Sequence, residues 1–387
     1  MKNNAINNQI NKHSLLIAAS MSVLGINSAV AESAPEYGSI SYKYLDYLDY
    51  QSNVPDSYSG ASSSTSKKRI KVKAHALLVK IPVAGEWLIS GNYVGDSISG
   101  ASPEYHSKSL VKLKEHRDAG GVSITRYLPR GTLSFGVNQS NENDYFSRTY
   151  SLLGTVSTED KNTTFNAGVS VSNDEISSTN GHVVNEKKRV VDLILGVTQV
   201  LTTNDIAQLN IGYSSGSGYF SDPYKFFDNR PDNKNHFTVL GRWNHYIAKT
   251  DGSSQLSYRY YKDTYNISAH TVNFDYSQPF EGGWIVTPSF RYYTQTAAKF
   301  YIGVDPGAPE FYELPETKYS SLDQRLSEYG AITLGLKVSK QINPDWLIDV
   351  KYEEYKQKES WALTGNSDGV LEPFGFRSFQ FGITRRF

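Results

Sequence analysis

"AITLGLKVSKQINPDWLIDVKYE", residues 331–353, decides the fold. Ile332, Leu334, Leu336 and Val338 alternate with Thr333, Gly335, Lys337 and Ser339. After Asn343-Pro344-Asp345, Trp346, Ile348, Val350 and Tyr352 alternate with polar residues that include Asp349, Lys351 and Glu353. A period of two marks a strand, and Asn, Pro and Asp are turn formers. The stretch therefore reads as a hairpin. One of its faces is apolar. The other mixes Gly, Ser and Thr with isolated charges, which suits a water-filled interior better than an open solvent face.

The pattern extends outward. "GTLSFGVN" puts Leu133, Phe135 and Val137 on one face, "NTTFNAGVSVS" does the same with Phe165, Ala167, Val169 and Val171, and "AQLNIGYS" with Leu209, Ile211 and Tyr213. The connections alternate in length. Short turns at Pro82, Pro129, Thr158, Thr202, Ala248, Gln278 and Asn343 form one set. The other set is mostly long and polar: Gln51–Ser66, Ile98–Lys112, Ser177–Lys187, Gly216–Lys234, Tyr301–Gln324 and Ser360–Phe374, with short members near Asn143 and Asn266. Short turns at one end and long loops at the other is the plan of outer-membrane barrels. The runs predict about sixteen strands, at roughly 36–50, 67–81, 86–98, 115–128, 131–142, 146–157, 162–175, 188–201, 205–217, 234–247, 254–264, 268–278, 284–299, 325–341, 345–358 and 376–387. The expected fold class is all-β: a transmembrane, antiparallel, up-and-down barrel.

Composition agrees. Mean hydropathy is -0.47, and 39 basic residues balance 39 acidic ones. That balance argues against nucleic acid as a partner. The chain has 28 Tyr and 17 Phe against 2 Met. Amphipathic rings gather where apolar surface meets two membrane interfaces. A barrel needs only every second residue apolar, so low hydropathy does not argue against it. The absence of cysteine excludes disulfides and thiolate metal sites.

The chain opens with Lys2 and Lys12, an apolar run from Ser14 to Ile26, and then Ala29-Val30-Ala31. This is the pattern of a secretory signal peptide with a small-x-small cleavage site at Ala29 and Ala31. The expected organisation is a leader over 1–31 and a barrel over 32–387, exported to the outer membrane of a Gram-negative bacterium.

"FRSFQFGITRRF", Phe376–Phe387, places Phe379, Phe381, Ile383 and Phe387 on one face of a closing strand. A barrel leaves no edge, so this strand must pair with the first. Its terminal aromatic resembles the C-terminal signal recognised by the bacterial barrel-assembly machinery. Arg385, third from the end, departs from that pattern; its stem can snorkel at the interface.

"SDPYKFFDNRPDNKNHFTVLGRWNHY", "LSYRYYKDTYNISAHTVNF" and "PSFRYYTQTAAKFY" resemble a Gram-negative outer-membrane family known as a domain of unknown function (number thirty-five-seventy). Asp222–Lys225, Asp228–Asp232, Arg242–Tyr246, Ser257–Tyr261 and Arg291–Ala298 carry the resemblance. It implies an outer-membrane barrel and no particular reaction. It also implies company in extracytoplasmic redox metabolism, with a periplasmic lipoprotein as a partner.

The polar face carries the candidate site. With the "AKTDGS" turn centred between Thr250 and Asp251, Arg242 is expected opposite Arg259, and Asn244 opposite Ser257. Asn273 follows near Arg259, with Asp275 one step nearer the short-turn end, and Arg291 lies at a comparable height. Like charges opposite each other repel, so the ladder of Arg242, Arg259 and Arg291 calls for a carboxylate, water or an anion. The Asn244, Asn273 and Asp275 side chains are its polar partners. Acidic residues Asp305, Glu310, Glu313, Glu316 and Asp323 read as a solvated loop, and Asp222, Asp228 and Asp232 as turn formers. No metal site, cofactor or catalytic residue is assigned, and H-E-x-x-H does not occur. The expected function is a passive or weakly selective porin-like channel with a basic lumen patch, not an enzyme. The alternative is a structural barrel that docks an envelope lipoprotein complex. Expected partners are the bilayer, lipopolysaccharide and the assembly machinery.

Overall fold

The computed structural model describes residues 33–51, 68–103, 110–225, 227–304, 309–313, 317–364, 371 and 373–387. The leader at 1–31, with Ala29 and Ala31, lies outside them, as do Asp305 and Glu316. Sixteen long strands form the barrel. They are β1 (Ser39–Gln51), β2 (Lys68–Val83), β3 (Trp87–Pro103), β4 (Leu110–Leu128), β5 (Gly131–Glu142), β6 (Tyr145–Ser157), β7 (Thr163–Ile176) and β8 (Glu186–Val200). Then follow β9 (Asp205–Gly218), β10 (Asn233–Ile247), β11 (Gly252–Asp263), β12 (Ser268–Phe280), β13 (Trp284–Gln295), β14 (Tyr329–Asn343), β15 (Trp346–Lys358) and β16 (Phe374–Arg386). Each pairs antiparallel with its sequence neighbours, and β1 pairs with β16 to close the wall. The chain is thus an all-β, up-and-down, closed barrel. Among the described residues no helix is long and apolar enough to cross a membrane, which says nothing of strands.

Alternation sets the two faces. Leu133 and Phe135 are 49% and 51% exposed on the outside, while Thr132, Ser134 and Gly136 between them face inward. Trp87, Trp284 and Trp346 stand near the short-turn end, each under a cation: Arg126 at 4.8 Å, Lys340 at 4.8 Å and Arg385 at 5.4 Å from the ring centroid. Such pairs suit an interface, where an apolar ring and a snorkelling charge both find their solvent. Arg385, the departure from the terminal pattern, therefore has a seat.

Turn chemistry makes the short end. In Asn343-Pro344-Asp345, the Asn343 Oδ1 accepts from the backbone N–H of Asp345 and of Trp346, both at 3.0 Å. Ala84 and Gly85 take positive φ in the turn after β2, and Gly282 and Gly283 in the turn after β12. The seam between β1 and β16 runs from Ser39 opposite Arg386 to Gln51 opposite Phe374. Beyond it, Gly38 and Phe387 exchange backbone hydrogen bonds of 2.8 and 3.0 Å. Phe379, Phe381, Ile383 and Phe387 occupy the outward positions of this strand, opposite in sense to inward Gln380 and Gly382.

Several boundaries differ from the expected ones. β3 continues to Pro103 and β4 begins at Leu110, so the loop between them is shorter than 98–112. β13 stops at Gln295 rather than 299, and β14 starts at Tyr329 rather than 325. The reason is tertiary. Ala298, Phe300 and Leu326 leave the wall to pack with Tyr265 and Ile267 in a small apolar core above it. The Ala298 N–H donates to the Leu326 carbonyl at 2.8 Å.

Candidate functional site

The lumen wall has two halves. From β4 to β9 many inward residues are small and neutral, among them Gly121, Ser123, Gly136, Asn138, Ser151, Gly168, Ser170 and Gly212, with Arg117, Asp174, Lys188 and Asp192 as charged exceptions. Asn138 is exposed to the bore. From β10 to β15 the wall becomes charged.

All three expected arginines face this bore, but the expected register is wrong by two positions. Arg242 lies opposite Ser257, and Arg259 opposite Leu240 on β10 and Thr271 on β12. Asn244 lies opposite Gln255, whose Nε2 donates to its Oδ1 at 2.8 Å. The cause is the turn. Ile247 pairs with Gly252, so the four residues between them make the loop, with Asp251 at φ 54°. The centre falls between Lys249 and Thr250. A slip of two leaves every side chain on its own face.

One pairing row therefore runs Arg242, Ser257, Asn273, Arg291, Thr333. Arg259 sits one same-face step nearer the long-loop end. Asn273 neighbours Ser257 and Arg291, not Arg259 directly, and its Nδ2 donates to the Ser257 Oγ at 3.1 Å. Asp275 faces Gln255 and Ser289. The Arg242 guanidinium donates to the Gln208 Oε1 at 3.2 Å. Arg291 is exposed to the bore; Arg242 and Arg259 are half-buried.

Two inward lysines belong to the same patch. Lys337 lies directly opposite Lys351, and Lys351 pairs with Glu353 at 2.7 Å. Arg242, Arg259, Arg291, Lys337 and Lys351 thus outnumber Asp275, Asp349 and Glu353 on one wall. The alternation around 331–353 already displayed both lysines on the polar face; only their cross-strand meeting was hidden.

Above the wall, loops build a cap that the sequence did not foretell. Asp222 and Asp228 are not mere turn formers, and Asp323 is not solvated. Two-residue strands Asp228–Asn229 and Ser320–Ser321 pair and bring the loops together. Between them lies a buried set of three carboxylates and three cations. Arg325 reaches Asp222 at 2.7 Å and chelates Asp323 through Nε at 2.9 and 2.7 Å. Arg230 spans Asp228 at 3.0 Å and Asp323 at 2.7 Å. Lys225 stands 3.4 Å from Asp323 and donates to Gln324 at 2.8 Å. Burial raises the Asp222 carboxyl and lowers the Lys225 ammonium. Burial opposes ionisation of Asp323 too, yet Arg325, Lys225 and Arg230 outweigh it and hold that carboxyl well below the usual range. In contrast, Glu310 and Glu313 are exposed on a single turn.

The cap is tied round the rim. The Tyr224 hydroxyl donates to Asp144, and the Thr179 N–H donates to that hydroxyl at 2.9 Å. The Tyr265 hydroxyl donates to the Pro231 carbonyl at 3.0 Å, and the Leu363 N–H to the Thr294 Oγ1 at 3.1 Å. Nearby, carboxylates of Glu115, Glu142 and Asp144 gather within 4.8 Å of one another; sequence reasoning did not single them out.

Comparison with known proteins agrees with the barrel. A bacterial polysaccharide outer membrane secretin has a TM-score of 0.52 at 11% identity, over 90% of this chain and 98% of that one. CdiB from Acinetobacter baumannii has a TM-score of 0.50 at 9% identity, over 89% of this chain and 60% of its own. OccD3 (OpdP) from Pseudomonas aeruginosa follows at 0.45 and 11% identity, over 95% and 97%. At such identity the first two likenesses concern the fold alone. No curated protein matches the chain. The family described as "Protein of unknown function (DUF3570)" matches residues 108–187 and 178–378. Those two segments cover well over half of the sequence, and the chain belongs to that family.

Proposed function

We propose that the protein is a passive, weakly anion-selective pore of the outer membrane of a Gram-negative bacterium, with no catalytic role. The observation that carries this reading is the inward-facing, partly exposed basic wall of Arg242, Arg259, Arg291, Lys337 and Lys351 inside a closed barrel of this size. About sixteen strands enclose an aqueous bore, and the opposite wall of Gly, Ser and Asn leaves it room. Fixed positive charge in a narrow bore raises the local concentration of anions. In this reading the outward apolar belt meets lipid, the long-loop end meets lipopolysaccharide, and the β1–β16 seam is completed by the barrel-assembly machinery.

The test is single-channel recording in planar bilayers under a salt gradient. The wild type should conduct with a reversal potential biased toward the anion. Replacing Arg242, Arg259 and Arg291 by Gln should reduce the bias. A wild type that conducts without bias would remove the basic wall from function.

The buried cap favours a second reading, a docking barrel serving an envelope lipoprotein. Its loops commit six charges, most of them buried, to a fixed outer surface, which a simple pore does not require. Absence of any wild-type conductance would turn the assignment to it.

A further inference from the structure

The charged wall of the lumen is bordered by rings. Tyr293 and Tyr329 have centroids 5.7 Å apart. Tyr355 stacks on Phe376 at 4.6 Å and 11°, and meets Phe374 at 5.8 Å. Phe376 in turn meets Tyr47 at 4.8 Å. These six rings come from β13, β14, β15, β16 and β1, and all occupy inward positions in the register. Lipid has no use for them, since they lie on the wrong face of the wall. Tyr47 is closed over within an apolar cluster with Ile70, Val72 and Ile98. Tyr293, Tyr355, Phe374 and Phe376 keep part of their surface open.

The polar tips of these rings are engaged. The Tyr293 hydroxyl donates to Gln295 and the Tyr355 hydroxyl to Gln357, each at 2.7 Å. What they offer a solute is ring face and edge. The arginines adjoin them. Arg259 shares a row with Thr271 and Tyr293, and Arg291 a row with Thr333 and Tyr355.

We infer that this wall is a binding subsite for aromatic carboxylates, with Arg259 and Arg291 taking the carboxylate and the rings of Tyr293, Tyr355 and Phe376 taking the aromatic face. The inference rests on the pore reading and names its solute class. A guanidinium fork matches a carboxylate in shape and charge, and aromatic pairs gain from offset or edge contacts at centroid distances of about 4.5–7 Å. A sugar would need free hydrogen-bonding groups, and the two tyrosine hydroxyls nearest the arginines are already committed.

The probe is 2-naphthoate, followed by its own fluorescence anisotropy on the detergent-purified full-length barrel, with current block recorded in parallel. Acetate and 2-naphthylmethanol serve as competitors that carry only the charge or only the ring. We expect 2-naphthoate to bind at least about tenfold more tightly than either. Arg291→Gln should weaken it about tenfold, Arg291→Lys less, and Phe376→Leu about threefold, each in protein that keeps heat-modifiable mobility. Should Arg291→Gln not fold, the competition series on the wild type decides alone. Acetate competing as well as 2-naphthoate, or unchanged affinity in folded Arg291→Gln, would overturn the inference. A wild type that binds 2-naphthoate but carries no current would sink the pore reading and leave the subsite standing. A wild type that conducts with anion bias yet neither binds nor is blocked by 2-naphthoate would do the reverse.

Discussion

Gly38 has no room for a side chain where it meets Phe387. A Cβ built there would lie 2.5 Å from the Phe387 ring, while the two backbones hold each other by two hydrogen bonds. Gly38→Val should push the ring off its seat, and Phe387→Ala should remove it. Each is expected to lower the heat-modifiable, folded fraction in outer-membrane preparations several-fold. Unchanged mobility and yield in both would show that the terminal ring does not anchor the seam. Asp323 is the second sensitive residue, because Lys225, Arg230 and Arg325 all converge on it. Asp323→Asn leaves three buried cations short of one charge, a change of the kind that costs about 3–5 kcal/mol. The loops should then open to added protease on intact cells while the barrel survives; full protection would mean that the other contacts hold the cap. At this scale the sequence spoke through parity alone. It showed that Arg242, Arg259 and Arg291 face inward, because alternation is local. It was silent on Asp222, Asp228 and Asp323, because partners about a hundred residues apart leave no period to read.

Strands and loops differ in what they reveal. The existence and order of all sixteen strands follow from alternation and turn residues, since each strand must present one apolar and one polar face. Register between strands does not follow, as the Arg242–Ser257 pairing shows: moving the turn centre by one residue slides the partners by two and preserves both faces. The ends of β13 and β14 were hidden for a different reason. Phe300 and Leu326 obey a tertiary core rather than the wall. The cap itself carries a pH signature. Asp222 takes up its proton in the docked cap above the ordinary carboxylate value of 3.8, so docking is favoured, not lost, as pH falls through that window. The contribution of Asp323 is present above 3.8 and lost only as pH falls through its lower folded value. Loop docking should therefore hold from neutral pH down to the ordinary carboxylate range and fail only well below it. Spin labels at Asp232→Cys and Glu310→Cys, read by pulsed distance measurement across that range, check this; separation of the loops already at mildly acid pH would contradict it.

For the whole molecule, the alternation of turn and loop lengths predicts sidedness. A single Cys at Asp232 should label on intact cells, and one at Asp345 only after permeabilisation; the chain contains no Cys of its own. The opposite pattern would invert the topology. The anion bias proposed for the bore should be strongest in dilute salt and fade as the Debye length contracts from about 30 Å at 0.01 M to about 3 Å at 1 M. A salt-independent reversal potential would point away from the five basic side chains as its source. The seam where β1 meets β16 also has a consequence for how the chain comes to exist. Its Ser41 and Thr384 side chains touch across 343 positions of sequence. Bringing such distant segments together costs about 5 kcal/mol in chain entropy, a sum that grows only with the logarithm of length. Lengthening an outer loop therefore adds almost nothing to that sum, whereas a residue that spoils the meeting of Gly38 and Phe387 acts on the end of the ladder that closes the wall. Variation in descendants of this chain should accumulate in the loops outside the cap's ion pairs and be refused at the joint.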